Sequence, residues 1–246
     1  MAFQKAGGEP EIFLIRNLSP EALEDSIAQM AEKIRQSQIV MLPGGFSGGD
    51  EPDGSAKFIA AICRNPRISE EIAHLLENRD GLMLGICNGF QALIKLGLVP
   101  YGKILPATEE SPTLTYNRIG RHQSTMIKTR VSSRMSPWLW ETQVGDVYTM
   151  PVSHGEGQFI CRDDLLNDFS EKGQIATQYV DFDGRPTMDI RHNPNHSVMA
   201  VEGITSPDGR IFGKMGHAER LGENVHKNIG GVKDMKIFAS GVAYFK

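Results

Sequence analysis

Residues 82–91 read LMLGICNGFQ and hold, in one short stretch, a strand, a tight turn and the beginning of a helix. Residues 82–86 form a near-continuous apolar run, which is typical of a strand buried on both faces. Gly-x-Cys-x-Gly follows, and residues 88–98 then show helical spacing through Phe90, Leu93 and Ile94. A buried strand that leads directly into a helix predicts one unit of a parallel α/β sheet.

The chain before this segment alternates in the same way. Apolar runs predict strands at residues 11–15, 39–42 and 81–86, and helical patterns cover residues 57–64 and 68–77. Ser19 before Pro20 is typical of a helix start. One face of that helix would carry Leu23, Ile27, Met30 and Ile34. Strands that alternate with helices imply a parallel sheet covered on both faces.

The second half of the chain has a different character. Strands are predicted at residues 121–131, 147–152, 158–161, 174–180, 198–204 and 211–215. Asp183-Gly184 and residues 206–209 (SPDG) are typical turn sequences. One domain over residues 1–246, with an α/β front and a β-rich back, fits this pattern better than two separate units.

Composition sets the broad class. The protein has 246 residues, 26 Lys and Arg against 30 Asp and Glu, a formal net charge of −4, and 40% hydrophobic residues. This composition is ordinary for a globular α/β protein. A pI near 6.0 argues against nucleic acid or a membrane surface as an electrostatically held partner. No apolar run reaches about 18 residues, and no signal-like start is present, so a cytoplasmic protein is expected.

The cysteines point to a working thiol. Cys63, Cys87 and Cys161 are too few and too scattered for a disulfide framework, and no Cys-x-x-Cys pair occurs. Cys87 stands between a strand and a helix, where small flanking residues expose a nucleophile. The helix start would lower the thiol pKa and offer an N–H group to an oxyanion. The alternative is a buried structural cysteine at a tight turn.

A thiol nucleophile needs a base, and His217 is the strongest candidate. Glu219 lies two residues further on, so in an extended chain both side chains point the same way and the carboxylate can fix the imidazole tautomer. The alternative is a loop histidine beside a surface glutamate. Pro194 between His192 and His196 argues against a helical metal pair. No context supports a role for His74, His122 or His226.

Residues 43–50, PGGFSGGD, form a glycine-rich loop at the end of a predicted strand. The loop lacks the Lys-Ser/Thr ending of a Walker loop and the G-x-G-x-x-G register of dinucleotide sites. Backbone N–H groups offered to an oxyanion are therefore the favoured function, and a flexible turn is the alternative.

Four motifs together resemble a known family. They are PGGFS at 43–47, GICNGFQ at 85–91, VSHGEG at 152–157 and HAER at 217–220, in the order and spacing of class I (triad) glutamine amidotransferases. The resemblance covers residues 11–220 and is greatest to the glutaminase domain of phosphoribosylformylglycinamidine (FGAM) synthase of the large single-chain type. It implies a flavodoxin-like, three-layer α/β fold with a mainly parallel central sheet.

The resemblance also implies roles for individual residues. Cys87 would attack the side-chain amide of glutamine and form a γ-glutamyl thioester. His217 would act as base and then as acid, oriented by Glu219. The thioester would then be hydrolysed, releasing glutamate after ammonia.

Two further sets of residues follow from the same resemblance. The backbone N–H groups of Gly45 and Asn88 would form the oxyanion hole. Gln91 and the backbone at Ser153 and His154 would recognise the glutamine substrate. No metal ligand is implied.

Partners and cofactors are implied as well. The ammonia would pass to an FGAM synthase body, in the same polypeptide or as a separate subunit, for ATP-dependent conversion of formylglycinamide ribonucleotide to formylglycinamidine ribonucleotide in purine biosynthesis. No ATP motif occurs in this chain, so ATP and Mg²⁺ are expected in that partner and no cofactor is expected here. Nucleic acid and membrane are not expected as partners.

The chain departs from the family pattern at two places. Ala218 stands where stand-alone relatives more often have proline. Only residues 2–7, which resemble the end of a helix, precede the strand predicted at residues 11–15. The expectation is a fragment of a longer synthase chain that lacks its first β-α unit.

Two other functions remain open at this point. One is another cysteine-elbow hydrolase of the same fold, against which the His-x-Glu pair and the motif at residues 152–157 argue. The other is a noncatalytic regulatory module, which is disfavoured because all three triad residues are present.

Overall fold

A computed structural model describes residues 2–45 and 55–246. Within these residues the strands form a seven-stranded sheet, in the order β1-β2-β9-β8-β7-β4-β5, and a two-stranded sheet of β3 and β6. The strands are β1 (Ile39–Leu42), β2 (Leu82–Ile86), β3 (Thr113–Tyr116), β4 (Gln123–Val131), β5 (Val147–His154), β6 (Glu156–Ile160), β7 (Ile175–Tyr179), β8 (Val201–Thr205) and β9 (Ile211–Lys214).

The large sheet is mixed, whereas a mainly parallel sheet was expected. β1, β2 and β9 are parallel neighbours, and the pairings from β9 through β8, β7 and β4 to β5 are antiparallel. The turn that joins β8 to β9 is too short for a crossover connection, so these two strands must run in opposite directions. Two of the three parallel strands, β1 and β2, lie before residue 98, where the sequence alternates strands and helices, and β9 comes from the second half of the chain.

The helices are α1 (Ala2–Lys5), α2 (Pro20–Gln36), α3 (Lys57–Cys63), α4 (Pro66–Glu77), α5 (Asn88–Leu96), α6 (Leu98–Tyr101), α7 (Asp163–Glu171) and α8 (Ile237–Ala243). Short 3₁₀ turns occupy Pro137–Leu139 and Val198–Ala200. Helix α2 begins where the sequence predicts, because the Ser19 hydroxyl accepts a hydrogen bond from the Ala22 N–H. Helices α7 and α8 were not predicted. Helix α7 has few apolar positions and lies within β-rich sequence, and α8 has only seven residues, too few to show a helical period.

The strand predicted at residues 11–15 is wrong. These residues have no regular structure, and Ile12 and Leu14 are 94% and 77% exposed. An apolar run becomes a strand only when a neighbouring strand satisfies its backbone groups. Among the described residues β1 pairs with β2 alone, and no strand pairs with residues 11–15.

The core surrounds β2, whose residues are all buried. Helix α5 follows β2 directly and packs on β1, β2 and β9. The carboxyl ends of the three parallel strands therefore meet at the beginning of α5. In the described part of the chain, none of the helices is both long enough and apolar enough to cross a lipid bilayer.

Candidate active site

Cys87 occupies the turn between β2 and α5. Its φ of 53° and ψ of −107° lie outside the regions that L-residues ordinarily adopt. The Cys87 N–H donates to the carbonyl oxygen of Lys214 at 2.8 Å, which ties the turn to the end of β9. Strained backbone of this kind persists only where the surrounding structure enforces it, and it is concentrated at functional sites.

The glycines on either side of Cys87 are required by close packing. A Cβ atom on Gly89 would lie far inside van der Waals contact with the carbonyl oxygen of Leu42. A Cβ atom on Gly85 would lie 2.6 Å from the Leu93 side chain. The Gly-x-Cys-x-Gly motif thus lets α5 approach β1 and β2 closely enough to hold the turn.

The Cys87 thiol is buried, with 5% of the residue exposed. Burial raises its pKa to about 11, and the negative charge of Glu219 acts in the same direction. The Asn88 backbone N–H and the charge of Arg220 oppose this rise only in part. The sequence predicted a lowered thiol pKa from the helix start. The structure gives the opposite because removal from water disfavours the thiolate more than the helix start favours it.

His217 and Glu219 form a close pair. The His217 Nδ1–H donates to Glu219 Oε1 at 2.6 Å. A turn at residues 217–220 brings the two side chains together, rather than the extended chain that was expected. Burial would raise the pKa of Glu219, but the hydrogen bond from His217 and nearby positive charge bring it below its usual value.

This pairing fixes the imidazole tautomer. An ionised carboxylate only accepts hydrogen bonds, so Nδ1 carries the proton and Nε2 is left as an acceptor. Arg220 Nη2 lies 3.5 Å from His217 Nε2, in position to donate to it. An unprotonated Nε2 can remove a proton from a thiol.

The cysteine and the histidine meet at Gly44. A Cβ atom on Gly44 would lie 2.7 Å from His217 Cε1 and 3.3 Å from Cys87 Cβ. Any larger residue at this position would push the two side chains apart. The structure therefore brings together all three residues that the sequence singled out for nucleophile, base and orienting carboxylate.

Gly45 and Asn88 also come together. The Asn88 side-chain Nδ2 donates to the carbonyl oxygen of Gly45 at 2.8 Å. The Asn88 backbone N–H is also bonded to the Cys87 sulfur. An oxyanion that formed on a carbon attacked by this sulfur would lie close to the same N–H. Residues 46–50 of the predicted glycine-rich loop lie outside the described residues.

The three residues assigned to substrate recognition line the corner between β5 and β6, and each has protein partners. Gln91 Nε2 donates to the carbonyl oxygen of Glu156 at 2.6 Å. The Ser153 carbonyl oxygen accepts from the Cys87 thiol at 3.5 Å, and the Ser153 hydroxyl pairs with His122 Nε2 at 3.0 Å. These bonds position the corner next to Cys87. Direct contact of these residues with substrate stays a prediction.

His154 is held by Asn117, a residue that sequence reasoning missed. The His154 Nδ1–H donates to Asn117 Oδ1 at 2.9 Å, and Asn117 Nδ2 donates to the His154 carbonyl oxygen at 2.8 Å. Burial, with smaller contributions from the neighbouring His122 and His217, lowers the pKa of His154 to about 4. Asn117 lies in a stretch without any motif, so no sequence signal identified it.

Glu156 was also missed, although it stands inside the quoted motif. Its Oε2 accepts from the Ser55 N–H at 3.0 Å and so ties the corner to the chain after the glycine-rich loop. Within residues 2–45 and 55–246, no three His, Cys, Asp or Glu side chains gather as a metal ion would require.

The chain is similar to proteins of a known family. The family model of the CobB/CobQ-like glutamine amidotransferase domain matches residues 1–245. Phosphoribosylformylglycinamidine synthase subunit PurQ of Methanococcus maripaludis strain S2 is 31% identical, over 99% of this chain and 90% of that protein. The subunit of the same name from Symbiobacterium thermophilum is also 31% identical, over 99% of this chain and 94% of its own length.

Solved structures show the same fold. A chain in the structure of PurLQS from Thermotoga maritima has a TM-score of 0.63 and 27% identity, over 90% of this chain and 93% of that chain. The glutaminase domain of Trypanosoma brucei CTPS, with bound acivicin, has a TM-score of 0.52 at 12% identity and supports the fold alone. The expected flavodoxin-like α/β fold of class I glutamine amidotransferases is confirmed. The chain belongs to the family of CobB/CobQ-like glutamine amidotransferase domains.

Proposed function

We propose that this chain hydrolyses L-glutamine to glutamate and ammonia, with Cys87 as nucleophile, His217 as base and acid, and Glu219 as the orienting carboxylate. The observation that carries the proposal is that Cys87, strained between a strand and a helix, meets His217 at Gly44. The Glu219 carboxylate bonds the other side of that histidine, at Nδ1.

The first half of the reaction forms a thioester. His217 Nε2 takes the Cys87 proton as the sulfur attacks the amide carbon of glutamine. The carbonyl oxygen becomes an oxyanion, which the N–H groups of Gly45 and Asn88 stabilise, each worth about 10²–10³ in rate. The C–N bond then breaks, His217 returns the proton to the nitrogen, and ammonia leaves.

The second half hydrolyses the thioester. His217 takes a proton from water, whose oxygen attacks the thioester carbon and forms a second oxyanion in the same hole. The C–S bond breaks, the proton passes to the Cys87 sulfur, and glutamate leaves. Because Glu219 holds Nδ1–H throughout, Nε2 alone carries the proton in both halves.

The destination of the ammonia follows from the relatives. Those described above are named as PurQ subunits of FGAM synthase, which supports a role in purine biosynthesis and a synthase partner. The partner is either a separate subunit or the rest of one polypeptide. ATP and Mg²⁺ act in that partner, where the formylglycinamide ribonucleotide amide is activated, and the pair works in the cytoplasm.

A covalent trap tests the proposal. We expect a glutamine-analogue electrophile to add one equivalent to the chain at Cys87, located by peptide mass spectrometry, and free glutamine to slow the addition. Cys87→Ser would take up no label. Addition at Cys63 or Cys161 instead would overturn the mechanism.

Two outcomes of the same trap distinguish the other candidates. A chain that takes no label, alone or with its synthase, is a noncatalytic module. A chain that is labelled at Cys87 but not protected by glutamine is another hydrolase of this fold. Ammonia release should be measured with the synthase present, so that a low rate of the isolated chain does not decide the result.

A further inference from the structure

A fully buried ion pair lies beneath the histidine and has no part in the chemistry above. Lys214, at the end of β9, and Glu202, in β8, are both completely buried, and their Nζ and Oε1 atoms are 2.9 Å apart. Buried charge is costly because both groups leave water, and a well-packed apolar pair is often at least as stable. Stability alone therefore does not account for the pair.

The pair holds both polar groups of a single residue, Gly216. The Gly216 N–H donates to Glu202 Oε1 at 2.6 Å, and Lys214 Nζ donates to the Gly216 carbonyl oxygen at 3.0 Å. Gly216 immediately precedes His217. The Gly216 carbonyl belongs to the peptide unit that joins Gly216 to His217. The orientation of this unit therefore sets the direction in which the imidazole leaves the backbone.

Glu202 is itself held in place. Its Oε2 accepts from the hydroxyl of Thr177 at 2.5 Å and from that of Thr129 at 3.2 Å. Burial would raise the pKa of Glu202, but the charge of Lys214 and the hydrogen bonds from Thr177, Lys214 and Gly216 bring it below its usual value. The carboxylate thus stays charged and bonded to β7 and β4.

Lys214 also contacts the cysteine side of the site through its backbone. Its carbonyl oxygen accepts from the Cys87 N–H at 2.8 Å, while its side chain holds Gly216. Lys214 therefore links the backbone of Cys87 to the backbone of Gly216, the residue before His217.

We infer that Glu202 and Lys214 are positioning residues, which clamp the Gly216 peptide and so keep His217 aligned between Glu219 and Cys87. The inference rests on the proposed glutaminase function. A charged pair suits this task because charge-assisted hydrogen bonds are stronger and more directional than contacts between apolar groups. A displacement of about 1 Å at a reacting group can cost about 10² in rate.

The test replaces the pair at similar volume with Glu202→Leu together with Lys214→Met. We expect kcat for glutamine hydrolysis to fall by at least about tenfold, with KM within about twofold, because the base moves while the substrate contacts remain. Histidine NMR gives a second readout. The downfield proton of His217 Nδ1–H, assigned with His217→Gln, should shift or disappear in the double variant.

Gln174→Met is the matched control. Gln174 is a buried side chain whose Nε2 donates to two backbone carbonyls, those of Pro100 and Thr205, towards the other end of β8. This variant should unfold at a lower temperature while kcat and the NMR signal stay as in the parent chain. If the first double variant does not fold, Glu202→Gln with Lys214→Met removes the Nζ contact and keeps an acceptor for the Gly216 N–H, and the same criteria apply.

A folded double variant with the parent's kcat and His217 signal would overturn the inference. Failure of the proposed function looks different, because the parent chain itself would then neither release ammonia nor take the Cys87 label. In that case the NMR comparison still decides whether the pair holds His217 in place.

Discussion

The Cys87 thiol donates its hydrogen bond to the carbonyl oxygen of Ser153, at 3.5 Å. The base is engaged elsewhere, since Arg220 approaches His217 Nε2 at 3.5 Å. Cysteine and histidine are thus adjacent while each contacts a different neighbour. The thiol hydrogen therefore points to Ser153, and burial keeps the thiol protonated at neutral pH because its pKa is raised.

Alkylation by a small neutral reagent should report the protonation of Cys87. Burial raises the pKa of the thiol to about 11, so iodoacetamide should react slowly at pH 7. The rate should rise by about tenfold per pH unit up to pH 10, because the thiolate fraction grows in that proportion below the pKa. Peptide mass spectrometry, with Cys87→Ser as the reference, follows the rate. A rate that is already constant from pH 7 would mean a preformed thiolate–imidazolium pair and would contradict this prediction.

Glu219→Gln should impair catalysis without unfolding the chain. The amide can donate to Nδ1 and stabilise the wrong tautomer, which places the proton on Nε2 and removes the base. We expect a loss of at least about 10² in kcat. Steady-state ammonia release measures it, and circular dichroism checks the fold. Wild-type kcat in a folded variant would remove Glu219 from the mechanism.

Gly89→Ala should destabilise the fold strongly. The added methyl group would collide with the backbone of Leu42, which cannot move without disturbing β1. We expect a loss of about 3 kcal/mol or more in the free energy of unfolding, measured in urea. Gly230→Ala is the control, because nothing lies within 4 Å of the added atom, and its effect should stay within about 0.5 kcal/mol. Similar values for the two variants would show that the close approach at Gly89 is not required.

His154 should make stability depend on pH below neutrality. Burial lowers its pKa to about 4 in the folded chain, against 6.5 for an ordinary histidine. At pH values about one unit or more above 6.5 the residue is neutral in both states, and its full contribution is present. As the pH falls from 6.5 to 4 the unfolded chain binds the proton first, so the free energy of unfolding decreases, by at most about 3 kcal/mol.

Urea unfolding between pH 4 and pH 8 checks this dependence. His154→Gln keeps a donor for Asn117 but cannot titrate, so its stability should fall less over the same range. The difference between the two proteins should become constant about one unit above pH 6.5. Parallel pH profiles would show that His154 is protonated as readily in the folded state as in the unfolded one.

Much of the fold was predictable from the sequence where pattern and local geometry coincide. Helix α2 begins at its predicted cap, and strands β1 and β2 lie where apolar runs occur. The prediction of strands and of their direction failed where the hydrogen-bonded pairing of neighbouring strands decides the structure. Residues 11–15 have a strand-like pattern, but no strand of the described residues pairs with them. The mixed direction of the sheet depends on the short turn between β8 and β9.

The sequence by itself determined which residues could form the site: a cysteine between glycines at a strand end, and a histidine two residues before a glutamate. Only the tertiary structure decided their state. The raised pKa of Cys87 depends on how much protein excludes water from it, and the tautomer of His217 depends on a turn that brings Glu219 to its ring. Burial depends on chain segments distant in sequence, as at the Glu202–Lys214 pair behind His217, and no local pattern encodes it.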